Sequence, residues 1–145
     1  MEIPQSDQHR LLRIARAALE ARVRKASPPP VEHGGALDWP CGAFVTIHHK
    51  GELRGCLGRL EVDEPLADTV AHLAAVVSDS DSRFNPVSAH ELEDISIEIS
   101  VLTPEEEVHS IDQIEVGRHG LIIEQGYRRG LLLPQDRKST RLNSS

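Results

Sequence analysis

Residues 44–58, Phe-Val-Thr-Ile-His-His-Lys-Gly-Glu-Leu-Arg-Gly-Cys-Leu-Gly, read as a β-hairpin. The run Phe44–His49 is rich in β-branched and aromatic residues, and Lys50-Gly51 makes a two-residue turn with glycine where a positive φ is needed. With that turn His49 pairs with Glu52 and Val45 with Cys56. Arg54 and Cys56 then share a face with Val45 and Ile47, while Phe44, Leu53 and Leu57 take the other. Both faces carry apolar groups, so the hairpin is expected to be covered on both sides.

Outward from the hairpin, Ile95, Ile97, Ile99 and Val101 alternate with Ser96, Glu98 and Ser100, which gives a half-buried strand of period two. Upstream, residues 6–26 carry Leu11, Leu12, Ala15, Ala18 and Leu19 on one helical face, with Ser6 as the expected N-cap. Ser27 and the prolines at 28, 29 and 30 stop this helix, and residues 27–41 follow as an extended linker pinned by Trp39. Pro65 opens a second helix whose stripe is Leu66, Val70, Leu73, Ala74 and Val77. A polar loop over residues 78–82 comes next, and Ser88-Ala89-His90-Glu91 fits a capping box. Leu121–Ile123 and Gly130–Leu133 read as a last hairpin. Two hairpins, a lone alternating strand and segregated helices predict an α+β fold with a largely antiparallel sheet flanked by helices.

The chain of 145 residues is one ordinary domain in length. Aromatic residues make up only 3%, so the core must be built from Val, Ile, Leu and Ala. A net charge of −7 argues against non-specific nucleic-acid binding, which rests on a basic surface. No apolar run reaches the roughly 18 residues of a membrane span, and no basic-then-apolar leader begins the chain. Two cysteines are too few for a disulfide scaffold, so a cytoplasmic, reducing setting is the expectation.

The densest chemistry lies in Leu53-Arg54-Gly55-Cys56-Leu57-Gly58. One reading makes Cys56 an accessible thiol beside positive charge from Arg54, with Gly55 and Gly58 permitting close approach of a substrate. The other makes it a small buried hydrophobe at a strand bend. Cys41, after Trp39-Pro40, reads as structural. The eight histidines form no metal-ligand spacing, and His48 and His49 point to opposite faces of a strand, so neither a metal nor another cofactor is expected. His119, between Arg118 and Gly120, is a candidate general base. Arg83 is placed either to hold an anionic ligand or to tie down its loop by pairing with Asp79 or Asp81. No phosphate loop or nucleophile elbow occurs.

Phe44-Val-Thr46, Gly51–Gly58, Asp81-Ser-Arg-Phe-Asn-Pro86, Ile97–Pro104, Gly117–Ile123 and Arg129–Gln135 together, in this order, resemble the AMMECR domain family, in particular the AmmeMemoRadiSam system protein A type. The resemblance covers roughly residues 6–135, and its most specific mark is Arg54-Gly55-Cys56. It implies larger and smaller subdomains, with the cysteine motif near the cleft between them. It also implies partnership with a Memo-like protein and a radical S-adenosylmethionine protein in a modification system. No reaction is firmly assigned to the family, and whether the chain is an enzyme stays open. By the resemblance Arg54, Gly55, Cys56 and Gly58 match the signature motif, and Arg83 and Phe84 match a second block; the residues themselves make Cys56, Arg54 and His119 the catalytic candidates, with Gly55, Gly58 and Arg83 binding substrate. Ser82 and Asn85 stand where prolines are usual, which loosens that loop. A non-catalytic adaptor that docks the partner proteins through an apolar patch is the alternative. Family members continue past Leu-Pro-Gln135. Asp136–Ser145, basic and polar, matches nothing there and resembles translated sequencing-adaptor read-through, so a truncated domain with a disordered tail is expected.

Overall fold

The computed structural model describes residues 3–60, 62–102, 121–125, 128–132 and 142–144. Helix α1 runs Gln5–Val23 and α2 runs Leu66–Val77. The strands are β1 (Gly42–His49), β2 (Glu52–Arg59), β3 (Ile95–Leu102), β4 (Leu121–Gln125), β5 (Arg128–Leu132) and β6 (Leu142–Ser144). Two short 3-10 helices, Gly35–Asp38 and Ala89–Asp94, complete the described elements. The chain divides into a larger unit, residues 1–104 with 142–145, and a smaller one, residues 105–141. In the larger unit the strand order is β2-β1-β3-β6, every pair antiparallel. In the smaller unit β4 and β5 pair as an antiparallel ladder from Leu121↔Leu132 to Gln125↔Arg128. The α+β reading holds.

The core of the larger unit lies between one face of the sheet and the two helices. Ala43, Val45 and Ile47 of β1 and Ile95, Ile97 and Ile99 of β3 are buried there. Their alternation with half-buried neighbours follows from the two-residue period of a strand. From α2 come Leu66, Ala67, Val70, Leu73, Ala74 and Val77, and from α1 Leu11, Ile14, Ala15, Ala18 and Leu19. Leu12, expected on the inner stripe, is only partly buried.

The helix ends follow simple chemistry. Ser6 is not the N-cap of α1; Pro4 is, and its carbonyl accepts the Gln8 amide at 3.0 Å. The helix stops near Lys25, which takes a positive φ of 56°, before the prolines are reached. Trp39 does anchor the linker, since its ring packs on the core and its carbonyl accepts the Leu66 amide at 2.8 Å at the start of α2. The Ser88–Glu91 capping box forms as the sequence implies, with the Ser88 amide donating to Glu91 Oε1 at 3.1 Å.

Two findings depart from the sequence reading. Lys50-Gly51 turns the hairpin with both φ values positive, and His49 does face Glu52. Between Ile47 and His48, however, the register shifts, so Thr46 rather than Val45 faces Cys56, and Val45 faces Leu57. Arg54 is the extra residue of this β-bulge. Because side chains alternate, a one-residue slip turns each of them to the opposite face. Gly55 and Leu57 therefore join Val45 and Ile47 on the core side, and Cys56 leaves it. Second, within the stretch expected to be a disordered tail, Leu142–Ser144 lines the free edge of β3, Leu142 opposite Ile99 and Ser144 opposite Ile97. An open strand edge offers unpaired amides and carbonyls that a short extended segment of almost any sequence can satisfy.

Candidate functional site

The bulge gathers one cluster on the side of β2 away from the core. Cys56 is half-buried, and its Sγ lies 3.1 Å from Thr46 Oγ1 on the neighbouring strand. Its amide points off the open edge of the sheet and donates to Asp81 Oδ2 at 3.0 Å. Asp81, at the end of the polar loop, is buried and binds Arg83 through both oxygens, Nε to Oδ1 at 3.0 Å and Nη2 to Oδ2 at 2.7 Å. The Arg83 side chain is 57% exposed and its Cζ stands 5.3 Å from the centre of the Phe84 ring. The loop-tying partner of Arg83 is thus Asp81; Asp79 instead pairs with Arg22 of α1 at 2.8 Å.

Arg54 is spent differently from the expectation of a free cation beside the thiol. The bulge aims it at the segment that follows the Asp81 loop. Nε and Nη2 form a two-pronged pair with Glu91 at 2.9 and 3.2 Å. Nη1 donates to the Asn85 carbonyl at 2.7 Å, and Nη2 also donates to that of Pro86 at 3.2 Å. The Arg54 guanidinium therefore fastens residues 85–91 to β2. It holds the Glu91 carboxyl down at about 2, against the opposing effect of burial and with help from the Ser88 amide and hydroxyl.

The two glycines also have packing duties. A Cβ on Gly55 would stand 3.1 Å from Val77 Cγ2 and from the Val77 carbonyl, so its absence lets α2 lie against β2. A Cβ on Gly58 would collide with the Phe44 ring, which fills the space above it. Gly55 faces the core, and Gly58 is roofed by an aromatic ring. His119 lies outside the described residues.

Cys41 is the contrasting thiol. It is 1% exposed within the core, and burial pushes its pKa up. Among the described residues no three His, Cys, Asp or Glu side chains are grouped to hold a metal, and no helix is long and apolar enough to cross a membrane. An apolar cavity of about 230 Å³ lies between α1, α2 and Pro28–Val31; none of the candidate residues among the described ones lines it. The residue that sequence reasoning undervalued is Asp81. Its one legible signal was an aspartate two positions before an arginine, next to glycine-flanked Cys56 only in space.

Comparison with known proteins covers most of the chain. A protein of Methanothermobacter thermautotrophicus is 44% identical over 133 residues, a match spanning 86% of this chain and 69% of that relative. One from Aeropyrum pernix is 38% identical over 143 residues, spanning 92% and 62%. One from Methanosarcina acetivorans is 42% identical over 99 residues, spanning 65% and 50%. The chain thus spans between half and about two thirds of the length of these relatives. The crystal structure of the uncharacterized protein PH0010 from Pyrococcus horikoshii superposes with a TM-score of 0.80 at 35% identity, covering 93% of this chain and 72% of that one. A family model described as AMMECR1 matches residues 12–144. With that match and these relatives, the chain belongs to the AMMECR1 family.

Proposed function

We propose that the chain serves in a modification system with a Memo-like protein and a radical S-adenosylmethionine protein, in the cytoplasm, and that Cys56 is the atom through which it acts on or carries a substrate. The observation that supports this most directly is the setting of Cys56. A half-buried thiol stands on the non-core side of an edge strand, next to a hydroxyl, with its backbone tied to an arginine-bearing loop. A purely structural cysteine is better served by the surroundings of Cys41. As a nucleophile the Cys56 sulfur would bond to an electrophilic centre of the substrate while the leaving group departs and the thiol proton passes to solvent. Arg54, whose donors are engaged by Glu91 and two carbonyls, acts in this reading by holding the loop and not by touching substrate.

The test is iodoacetamide labelling of the folded chain near neutral pH, with each cysteine peptide quantified by mass spectrometry. Cys56 is expected to react at least tenfold faster than Cys41, which must await local opening of the core (about 1.4 kcal/mol or more separating the two). In the reconstituted three-protein system Cys56→Ser should keep the fold and lose activity. Equal, slow labelling of both thiols until denaturant is added would overturn the proposal and favour the adaptor reading.

A further inference from the structure

One buried carboxylate links the backbone amide of Cys56 to the exposed Arg83 cation. The Asp81 side chain is 6% exposed and its two oxygens take four hydrogen bonds. Oδ1 accepts from the Arg83 amide at 3.1 Å and from Nε at 3.0 Å; Oδ2 accepts from Nη2 at 2.7 Å and from the Cys56 amide at 3.0 Å. The guanidinium holds this carboxyl far below the ordinary aspartate range, with burial opposing and the two amides assisting. Because Oδ2 is shared, Nη2 of Arg83 stands no farther from the Cys56 amide than two hydrogen bonds laid end to end. The Phe84 ring flanks the same guanidinium. A long exposed side chain is thus fixed along one edge and one face, and among the described residues its Nη1 makes no hydrogen bond. Fixing an arginine in this way removes most of the ordering cost that binding a ligand would otherwise carry.

We propose that Asp81 is a positioning residue, which holds the Arg83 guanidinium beside the Cys56 thiol so that the site takes a substrate bearing a carboxylate next to its reacting centre. Asp81 already offsets part of the guanidinium field, so the site suits a singly charged group better than a phosphate dianion. This inference rests on Cys56 being the working thiol.

The experiment uses the full chain and two reagents of similar size, iodoacetate and iodoacetamide, with second-order rates read at the Cys56 peptide. In both reactions the thiolate attacks the carbon bearing iodine, the S–C bond forms as C–I breaks, iodide leaves, and the thiol proton has gone to solvent. The ratio of the two rates cancels the thiolate fraction and reads the local charge. Arg83→Gln, at an exposed position, is expected to lower the iodoacetate-to-iodoacetamide ratio by about threefold, the scale of one solvent-screened charge at a few ångströms. Asp81→Asn is expected to lower it as well, because the guanidinium is released. A through-space charge effect alone predicts the reverse, since deleting a carboxylate makes the site more positive. A ratio that rises or stays unchanged in Asp81→Asn, with the far-UV spectrum intact, overturns the positioning role. If Asp81→Asn fails to fold, an unchanged ratio in Arg83→Gln overturns it on its own. Ready labelling of Cys56 by iodoacetamide, with an iodoacetate-to-iodoacetamide ratio that ignores Arg83, sinks this inference and leaves the Cys56 reading standing. A native Cys56 inert to both reagents sinks both.

Discussion

On the inner face of the β1–β2 hairpin, Val45 and Ile47 are fully buried and Gly55 lies so close to Val77 that an added Cβ would press against it. On the outer side, one residue along each strand, Thr46 and Cys56 are half-buried and bonded to each other, and the Cys56 amide is bonded to a loop carboxylate. The same few residues therefore answer to two rules. The inner face is held by shape and by removal of apolar surface from water. The outer side is held by directional polar contacts, each of which contributes little unless its partner is removed. A fold can tolerate chemistry next to its core because the two-residue period of a strand separates them by a single peptide.

The largest break in this contrast should come from the inner face. Ile47→Ala deletes a fully buried side chain that β2, β3 and α2 enclose, and is expected to cost about 4 kcal/mol of stability by urea denaturation. A loss under about 1 kcal/mol would mean that the inner face is loosely packed and the contrast is overstated.

The next effect belongs to the Arg54–Glu91 pair, which is mostly buried and fastens the outer loop. Arg54→Ala takes the guanidinium from Glu91, whose Oε1 keeps only Ser88, and leaves Oε2 and two loop carbonyls without their arginine donor, at an expected cost of about 3 kcal/mol. The pair also sets an acid dependence. Between the ordinary glutamate value of 4.5 and about 2, the unfolded chain takes up a proton at Glu91 that the folded chain refuses. Stability present above that window is therefore lost as pH falls through it. Asp79, held down by Arg22, and Asp81, held down by Arg83, act with the same sign from about 3.8 downward. Glu91→Gln should thus reduce the slope of stability against pH below 4.5 without abolishing it. An unaltered slope would show that the pair is solvent-screened and that the loop is held by something else.

These expectations also separate what the sequence discloses from what it hides. The strand Ile95–Val101, the stripe of α2 and the Ser88 capping box follow from local periodicity and local hydrogen bonding, and the folded chain has them where the pattern says. The turn at Lys50-Gly51 was equally local. The pairing beyond it was not, because whether a bulge forms at Arg54 depends on Glu91 and on the carbonyls of residues 85 and 86, more than thirty positions away. A glycine on each side of Cys56 signals close approach but not whether a substrate, a helix or a ring approaches, and here Val77 and Phe44 do. The tie from Asp81 to Cys56 is invisible for the same reason. The partners of Asp81 are one near neighbour and one amide 25 residues back, and no spacing rule links a loop carboxylate to a strand edge.

The smallest expected effect is the most local and tests the outer side alone. Thr46→Val keeps the shape of the side chain and removes only the hydroxyl that lies 3.1 Å from Cys56 Sγ. While the sulfur is protonated, either group can donate to the other. Once it is a thiolate, only the Thr46 hydroxyl can donate, and a hydrogen bond to a charged acceptor is the stronger of the two. The hydroxyl therefore orients the sulfur for attack, and its removal is expected to slow iodoacetamide labelling of Cys56 by about threefold, or roughly 0.7 kcal/mol. Stability should move by less than about 1 kcal/mol, since the site is half-buried and the substitution keeps the shape of the side chain. Labelling of Cys41 should not move at all. Faster labelling of Cys56 in Thr46→Val would mean that the threonine shields the sulfur more than it assists it, and would reduce the polar outer side to a second, poorly packed face.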